Sequence, residues 1–144
     1  MLVDSNVLVA AIVETHQHHA PSLAFLDRFA DTARIAAHSW SEVYNTLTKR
    51  SAGAHSWPAA QAWLAMADFV HALRLIGLSP EQTLEGVRLY ALGGGVGPRV
   101  YDFLIGRLAV IHGLGAIVTW NTSHMRGLFP ALEVLTPAEA LARA

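Results

Sequence analysis

Short apolar runs alternate along the chain with longer amphipathic segments, and no other feature of the sequence constrains the fold as strongly. The longer segments place apolar residues three or four positions apart, which is the spacing of one helix face. The apolar runs have the length of strands. This alternation predicts an α/β fold with a short, mainly parallel sheet. The predicted strands are residues 1–3, 33–37, 74–78, 116–119 and 133–135.

Three segments have the residues of a capping box, in which a Ser or Thr at the helix start is followed three positions later by Glu or Gln. They are Ser39–Glu42, Ser79–Gln82 and Thr136–Glu139. The last two also place Pro at the first helical position. We therefore predict that helices begin at these three points. Further helices are expected from Pro21, after Ser56 and Pro58, and from Val100 to Gly113.

The size and composition of the chain limit the classes of protein to which it can belong. Its 144 residues predict one domain, residues 1–144, and the 53% share of hydrophobic residues predicts a large buried core. A net charge of -1 argues against a general nucleic-acid coat, whose surface would be strongly basic. The absence of Cys excludes disulfides and thiolate metal sites.

Neither a membrane span nor a secretory signal is expected from the sequence. The chain has no uninterrupted apolar run of about 18 residues. Its first four residues lack a basic region, and Asp4 interrupts the apolar stretch at once. We therefore expect a cytoplasmic protein.

Four polar residues stand where a site is expected: Asp4, Glu42, Asp102 and Asn121. Ligands of open parallel sheets bind beyond the carboxyl ends of the strands. This rule favours Asp4, Glu42 and Asn121, whereas Asp102 is placed there only by the start of its helix. Each acid also has a structural explanation, because Asp4 can cap a helix, Glu42 can complete its capping box and Asp102 can complement a helix dipole.

If the three carboxylates converge, they require a bound cation. Two unpaired carboxylates about 4 Å apart repel by about 4 kcal/mol in a surface-like dielectric. Oxygen donors without any Cys favour Mg²⁺ or Mn²⁺ over zinc. A water molecule activated by such a cation can hydrolyse a phosphodiester bond.

The residues around these acids resemble the four motifs of the PIN-domain family. Val3–Val9 resembles the first motif, Ser41–Asn45 the second, Tyr101–Ala109 the third and Thr119–Thr122 the fourth. The motifs occur in family order and span almost the whole chain. The resemblance implies a single three-layer α/β/α PIN-like domain with a short, mainly parallel central sheet.

Within this family, a short single-domain chain resembles the toxins of bacterial VapBC toxin–antitoxin pairs. That resemblance implies a Mg²⁺-dependent endoribonuclease that cuts structured RNA, such as transfer or ribosomal RNA, with Mn²⁺ as the other cation to consider. It also implies a homodimer and a complex with a small VapB-like antitoxin. The alternative is a catalytically weak PIN domain that binds RNA or a protein.

Carried over to this chain, the motifs assign Asp4 and Asp102 as the principal metal ligands. Glu42 would ligate the metal directly or through water, and Asn6 would hydrogen-bond within the acidic cluster. Many family members have an acid where this chain has Asn121, whose amide can coordinate a cation but cannot act as a base. One metal ion is therefore expected. Supporting roles are expected of Thr119 and His124, and phosphate contacts of Lys49, Arg50, Arg99 and Arg126.

Three other patterns in the sequence bear on the function. The His-rich segment His16–His19 lacks a spaced partner pair for zinc, which favours a solvated loop over a metal site. The tryptophans from Trp40 to Trp63 suggest an apolar groove for the antitoxin. A phosphoryl-accepting receiver-like domain also gathers acids around Mg²⁺, but it needs a Lys late in the chain. The only Lys here is Lys49.

Overall fold

Five short parallel strands form the centre of the protein in the computed structural model, which describes residues 1–49 and 56–144. Their order across the sheet is β3-β2-β1-β4-β5, and every neighbouring pair is parallel. All five predicted strands are confirmed, although most are shorter than the apolar runs. The strands are β1 Leu2–Val3, β2 Arg34–Ala36, β3 Arg74–Ile76, β4 Ala116–Val118 and β5 Glu133–Leu135.

Helices connect the strands and follow the last one. The predicted α/β class is confirmed, since strands and helices alternate along most of the chain. Within the described ranges the helices are α1 Ser5–Ile12, α2 His19–Phe29, α3 Ala37–Thr48, α4 Ala59–Ala72, α5 Pro80–Leu92, α6 Arg99–Ile111, α7 Thr122–Met125 and α8 Pro137–Ala142.

The sheet is covered on both faces, which explains why β1 and β4 are apolar at every position. Val3 and Val118 pack into one core cluster with residues of α1 to α4. Their strand neighbours Leu2 and Ile117 point the other way and pack with Leu108 of α6. Successive side chains of a strand alternate between faces, so two-residue steps fill both cores. This arrangement confirms the predicted three layers.

Two of the three predicted capping boxes are present. Ser79 and Thr136 each accept the backbone N–H three residues on, while Gln82 and Glu139 accept the N–H of the cap residue. The box predicted at Ser39 is wrong. There β2 runs directly into α3, whose first residue is Ala37, so Ser39 lies inside the helix and its hydroxyl is fully buried.

No helix in the described part of the chain is long and apolar enough to cross a membrane.

Replacing Ser79 and Ser39 by Ala should have opposite consequences for stability. Ser79→Ala removes the cap of α5 and is expected to lower the free energy of unfolding by about 1 kcal/mol. Ser39→Ala removes a buried hydroxyl that has no partner among the described residues, so it should be neutral or slightly stabilising. Urea denaturation of both variants tests this, and equal losses would contradict the assignment of the helix starts.

Candidate active site

The strand order has a topological switch point at β1: β2 and β3 lie on one side of β1, and β4 and β5 lie on the other. Polar groups at the carboxyl ends of β1 and β4 meet at this switch point. Asp4 follows β1 directly, and Thr119 follows β4 directly. The Thr119 hydroxyl donates a hydrogen bond of 2.7 Å to Asp4 Oδ2. The switch point therefore has a carboxylate at its centre.

Asp4 serves as a helix cap and as a member of this cluster at the same time. Its Oδ1 accepts the Ser5 backbone N–H at 2.7 Å, which caps α1. Its Oδ2 accepts Asn6 Nδ2 at 2.9 Å as well as the Thr119 hydroxyl. Hydrogen bonds to both oxygens fix the plane of the carboxylate.

Thr119 and Asn6 have their hydrogen-bonding capacity filled inside the cluster. Fully buried Thr119 donates to Asp4 and accepts from Asn6 Nδ2 at 2.9 Å and from the Asn121 backbone N–H at 3.0 Å. Asn6 Oδ1 accepts the Trp120 backbone N–H at 3.1 Å. Asn6 is expected to hydrogen-bond within the acidic cluster, and its side chain makes such bonds here. Together these hydrogen bonds fix the orientation of the Asp4 carboxylate.

Asp102 lies in the first turn of α6 and is electrostatically coupled to Asp4. Partial burial, and then the repulsion of the Asp4 carboxylate, raise the pKa of Asp102 above its ordinary value. Electrostatic interactions with His124 and Arg99 oppose this rise in the pKa of Asp102. Arg99 also donates to the His124 carbonyl at 2.7 Å, which joins α6 to α7 at the rim of the site. Asp4, His124 and Arg99 thus lie close enough to Asp102 to influence its pKa.

Glu42 lies on the half-exposed face of α3, five positions beyond its first residue. Its carboxylate is 3.4 Å from His38 Nε2, one helical turn away. The capping explanation for Glu42 is therefore wrong. Among residues 1–49 and 56–144, no three His, Asp or Glu side chains lie close enough together to hold a metal ion. The participation of Glu42 in the acidic site stays a prediction.

Trp120 connects the cluster to the His-rich loop. Its indole stacks on the His18 ring with centroids 3.9 Å apart and planes 9° from parallel. Its Nε1 donates to the buried hydroxyl of Ser22 at 2.9 Å. The predicted loop between α1 and α2 is present, and His18 at its end is half-buried because it covers Trp120. Sequence reasoning missed this support because Trp120 and Ser22 are 98 positions apart.

The basic residues expected near phosphate are not all in one place. Arg99 faces Asp102, but Arg126 is 3.8 Å from Glu139 of α8. Lys49 is exposed at the end of α3, and Arg50 lies outside the described residues. Asn121 is exposed at the start of α7, and its side chain does not cap that helix. Arg99 is thus the expected phosphate contact whose position relative to the acids is best defined.

The donor set at the switch point is composed of carboxylate, amide and hydroxyl oxygens. Asp4 is held in place by neutral donors, and Asp102 is repelled by it. A hard divalent cation such as Mg²⁺ or Mn²⁺ suits such donors and removes the repulsion.

Comparison with protein families supplies the decisive observation. The sequence matches the family model of the PIN domain over residues 1–126. The chain belongs to the PIN-domain family. The matched stretch contains Asp4, Glu42, Asp102 and Asn121, and it ends just after α7. No curated protein matches the sequence.

Solved PIN-fold structures resemble the chain closely in shape and weakly in sequence. VapC20 of Mycobacterium tuberculosis, described as a Sarcin-Ricin loop cleaving toxin, has a TM-score of 0.69 at 11% identity, covering 91% of this chain and 97% of that one. VapBC2 of Rickettsia felis, bound to a DNA fragment from its promoter, has a TM-score of 0.66 at 19% identity. DNA-bound VapBC of Salmonella typhimurium has a TM-score of 0.68 at 18% identity. Both of these cover 94% of this chain and 96% of the other. At such identities the likeness concerns the fold.

Asp102→Asn is expected to raise the thermal unfolding midpoint of this PIN domain in the absence of metal. Because the folded-state pKa of Asp102 is raised, its stabilising contribution is complete below the ordinary value of 3.8 and is lost as the pH increases. Asn stays neutral, so the gain over the wild type should be larger at about pH 7 than at about pH 4. Thermal unfolding in EDTA measures this difference.

The matched control is Asp68→Asn, which neutralises an exposed acid on α4. Its effect on the midpoint should be close to zero at both pH values. A gain from Asp102→Asn that is absent at neutral pH, or larger in acid, would contradict the coupling between Asp102 and Asp4.

Proposed function

We propose that this protein is a metal-dependent endoribonuclease that acts as the toxin of a toxin–antitoxin pair. The observation that supports this most is the pair of coupled carboxylates, Asp4 and Asp102, at the switch point of a PIN fold. Repulsion within this pair is costly without a counter-charge, and nucleases that cut phosphodiesters use such pairs to hold divalent cations.

Asp4 and Asp102 would hold Mg²⁺, or Mn²⁺ in its place, and Glu42 would approach it through water. When bound, the cation supplies positive charge that offsets the negative charge growing on the phosphate during hydrolysis. Thr119 and Asn6 keep the Asp4 carboxylate oriented towards the site through their hydrogen bonds. These hydrogen bonds orient the Asp4 carboxylate before a ligand binds.

The remaining residues of the site would act on the RNA and on the attacking water. Arg99 is one turn before Asp102 on α6, where its guanidinium can hold a phosphate oxygen of the substrate. Glu42 would orient the attacking water and accept its proton, with His38 positioning the carboxylate. Asn121 would orient the same water or coordinate the cation through its amide carbonyl.

The partners that we propose follow the neighbours in structure. Several of them are toxin–antitoxin complexes, including one from Klebsiella pneumoniae with 20% identity and a TM-score of 0.62. We propose structured transfer or ribosomal RNA as the substrate, which implies a cytoplasmic protein. We also propose a homodimer that forms a hetero-oligomer with a small antitoxin encoded alongside.

A catalytically weak PIN domain that binds RNA or a protein is the second candidate. The 3.4 Å contact between Glu42 and His38 favours it, because that contact turns the carboxylate to a neighbour on its own helix. Asn121, which cannot act as a base, favours it too. Such a domain would bind RNA without cutting it.

The purified protein is expected to cut structured RNA when Mg²⁺ or Mn²⁺ is added, and to be inactive in EDTA. Asp4→Asn and Asp102→Asn should each reduce the cleavage rate at least 100-fold, on the order of the loss of a catalytic electrostatic group. Arg143→Ala, which removes the partner of Glu133, should cut like the wild type. Gel analysis of labelled transfer and ribosomal RNA measures this, and undiminished cleavage by the Asp variants would refute the proposal.

The antitoxin is expected to cover the exposed apolar face of α4. Trp40 cannot belong to this surface because it is buried in the core, and the stretch 50–55 lies outside the described residues. Trp63 and Leu64 are 57% and 69% exposed. Trp63→Ala should therefore weaken complex formation with the protein encoded alongside at least 10-fold, as loss of an aromatic anchor does.

The control for this experiment is Leu92→Ala, which trims an equally exposed apolar residue at the end of α5. Calorimetric titration of each variant with the neighbouring gene product gives the affinities. Wild-type affinity in Trp63→Ala would exclude α4 as the docking face.

A further inference from the structure

A cleft of about 330 Å³ opens beside the acids, between the ends of β2 and β3 and the helices α5 and α6. Its deepest residues are buried and apolar, as at Ala36 and Leu108. Its rim is exposed and consists of His38, Tyr101 and Thr83. A volume of this size lies at the lower end of the range for small-molecule pockets.

The rim of the cleft is continuous with the candidate active site. Tyr101 directly precedes Asp102 on α6. His38 contacts Glu42 at 3.4 Å on α3. A ligand in the cleft would therefore lie next to whatever occupies the acidic site.

The rings of His38 and Tyr101, at the rim of the cleft, stack on each other. The planes of His38 and Tyr101 are 6° from parallel, with centroids 5.8 Å apart. Tyr101 is 54% exposed, so about half of this aromatic side chain is not stabilised by burial in the protein. Parallel aromatic rings over an apolar floor suit a planar ligand, and nucleobases are the planar groups that ribonucleases meet.

The lining also distinguishes the base of a nucleotide from its phosphate. It contains no carboxylate and no Lys or Arg among the described residues, so it has little to offer a phosphate. It does contain the Thr83 hydroxyl, which donates to the Ser79 carbonyl at 3.0 Å and keeps lone pairs for an N–H of a base, and the Gly77 carbonyl, which has a second lone pair beside its 3.3 Å contact with His112. The charged groups that suit a phosphate, Arg99 and the acids with their cation, lie just outside it.

We propose that this cleft binds an unpaired nucleobase of the RNA substrate, from a nucleotide next to the phosphate that is cut. The inference rests on the proposed nuclease function for the identity of its ligand. The base stacks on the exposed face of the Tyr101 ring while its phosphate reaches the acids. The cleft thus selects RNA whose bases can leave a stack, as those of loops do.

The test measures binding in EDTA, where no cleavage occurs, with a short single-stranded oligoribonucleotide that carries 2-aminopurine. Stacking quenches the fluorescence of this base, so the wild type should quench it on binding. Tyr101→Ala should raise the dissociation constant about 10-fold, the change expected on losing one base–aromatic stack. Tyr101→Phe keeps the ring and should bind like the wild type.

A second pair of variants distinguishes the effect of filling the cleft from a nonspecific effect of an added Trp side chain. Thr83→Trp places a large side chain at the rim and should also weaken binding about 10-fold or more. Leu84→Trp adds the same ring one position along α5, at an exposed residue outside the cleft, and should leave binding unchanged. Circular dichroism of all four variants establishes that they fold.

The outcomes separate this inference from the proposed function. Cleft-dependent RNA binding by a protein that never cuts RNA would support the inference and refute the nuclease. Cleavage together with wild-type binding in Tyr101→Ala and Thr83→Trp would refute the inference alone. If Thr83→Trp weakens only the complex with the neighbouring gene product, the cleft is a protein docking site and the inference is wrong.

Discussion

The hydrogen bond from Thr119 to Asp4 is the interaction on which the site depends. It joins the carboxyl ends of β1 and β4, the two neighbouring strands at the topological switch point of the sheet. Thr119 is fully buried, and its hydroxyl is satisfied only when Asp4, Asn6 and the Asn121 backbone N–H are all in place. Loss of one partner would leave buried polar groups unpaired, which is more costly than the bond itself is stabilising. The hydrogen bonds of the cluster therefore fix the orientation of the Asp4 carboxylate.

The fold could be predicted from the sequence where local chemistry and tertiary packing agree. The strands were found because a doubly covered parallel sheet requires apolar residues on both faces, as in Ala116–Val118. The caps at Ser79 and Thr136 are predictable because each begins a capping-box pattern and has Pro as the next residue. Ser39 has the same local pattern, yet it faces the core. Its sequence does not record that β2 enters α3 without a loop, so the pattern alone was misleading.

The sequence proposes the residues of the candidate site but not the contacts that they make. Asp4 has two explanations in the sequence, a helix cap and a site residue; its Oδ1 caps α1, and its Oδ2 accepts the Thr119 hydroxyl. Burial and the Asp4 carboxylate raise the pKa of Asp102, whereas Glu42 contacts His38 on its own helix. Motif spacing gives the strand end or helix turn of each residue, but not its rotamer. The stack of His18 on Trp120 joins distant segments, and no local pattern announces it.

The central claim is that Asp4 and Asp102 together form a cation site. A crystal grown with Mn²⁺ and measured at the manganese absorption edge tests it most directly. One strong anomalous peak is expected within about 2.0–2.4 Å of a carboxylate oxygen from each of the two residues. This peak should be lost in Asp102→Asn. A peak at His16–His19 instead, or none between Asp4 and Asp102 at saturating Mn²⁺, would show that the two acids do not form a cation site.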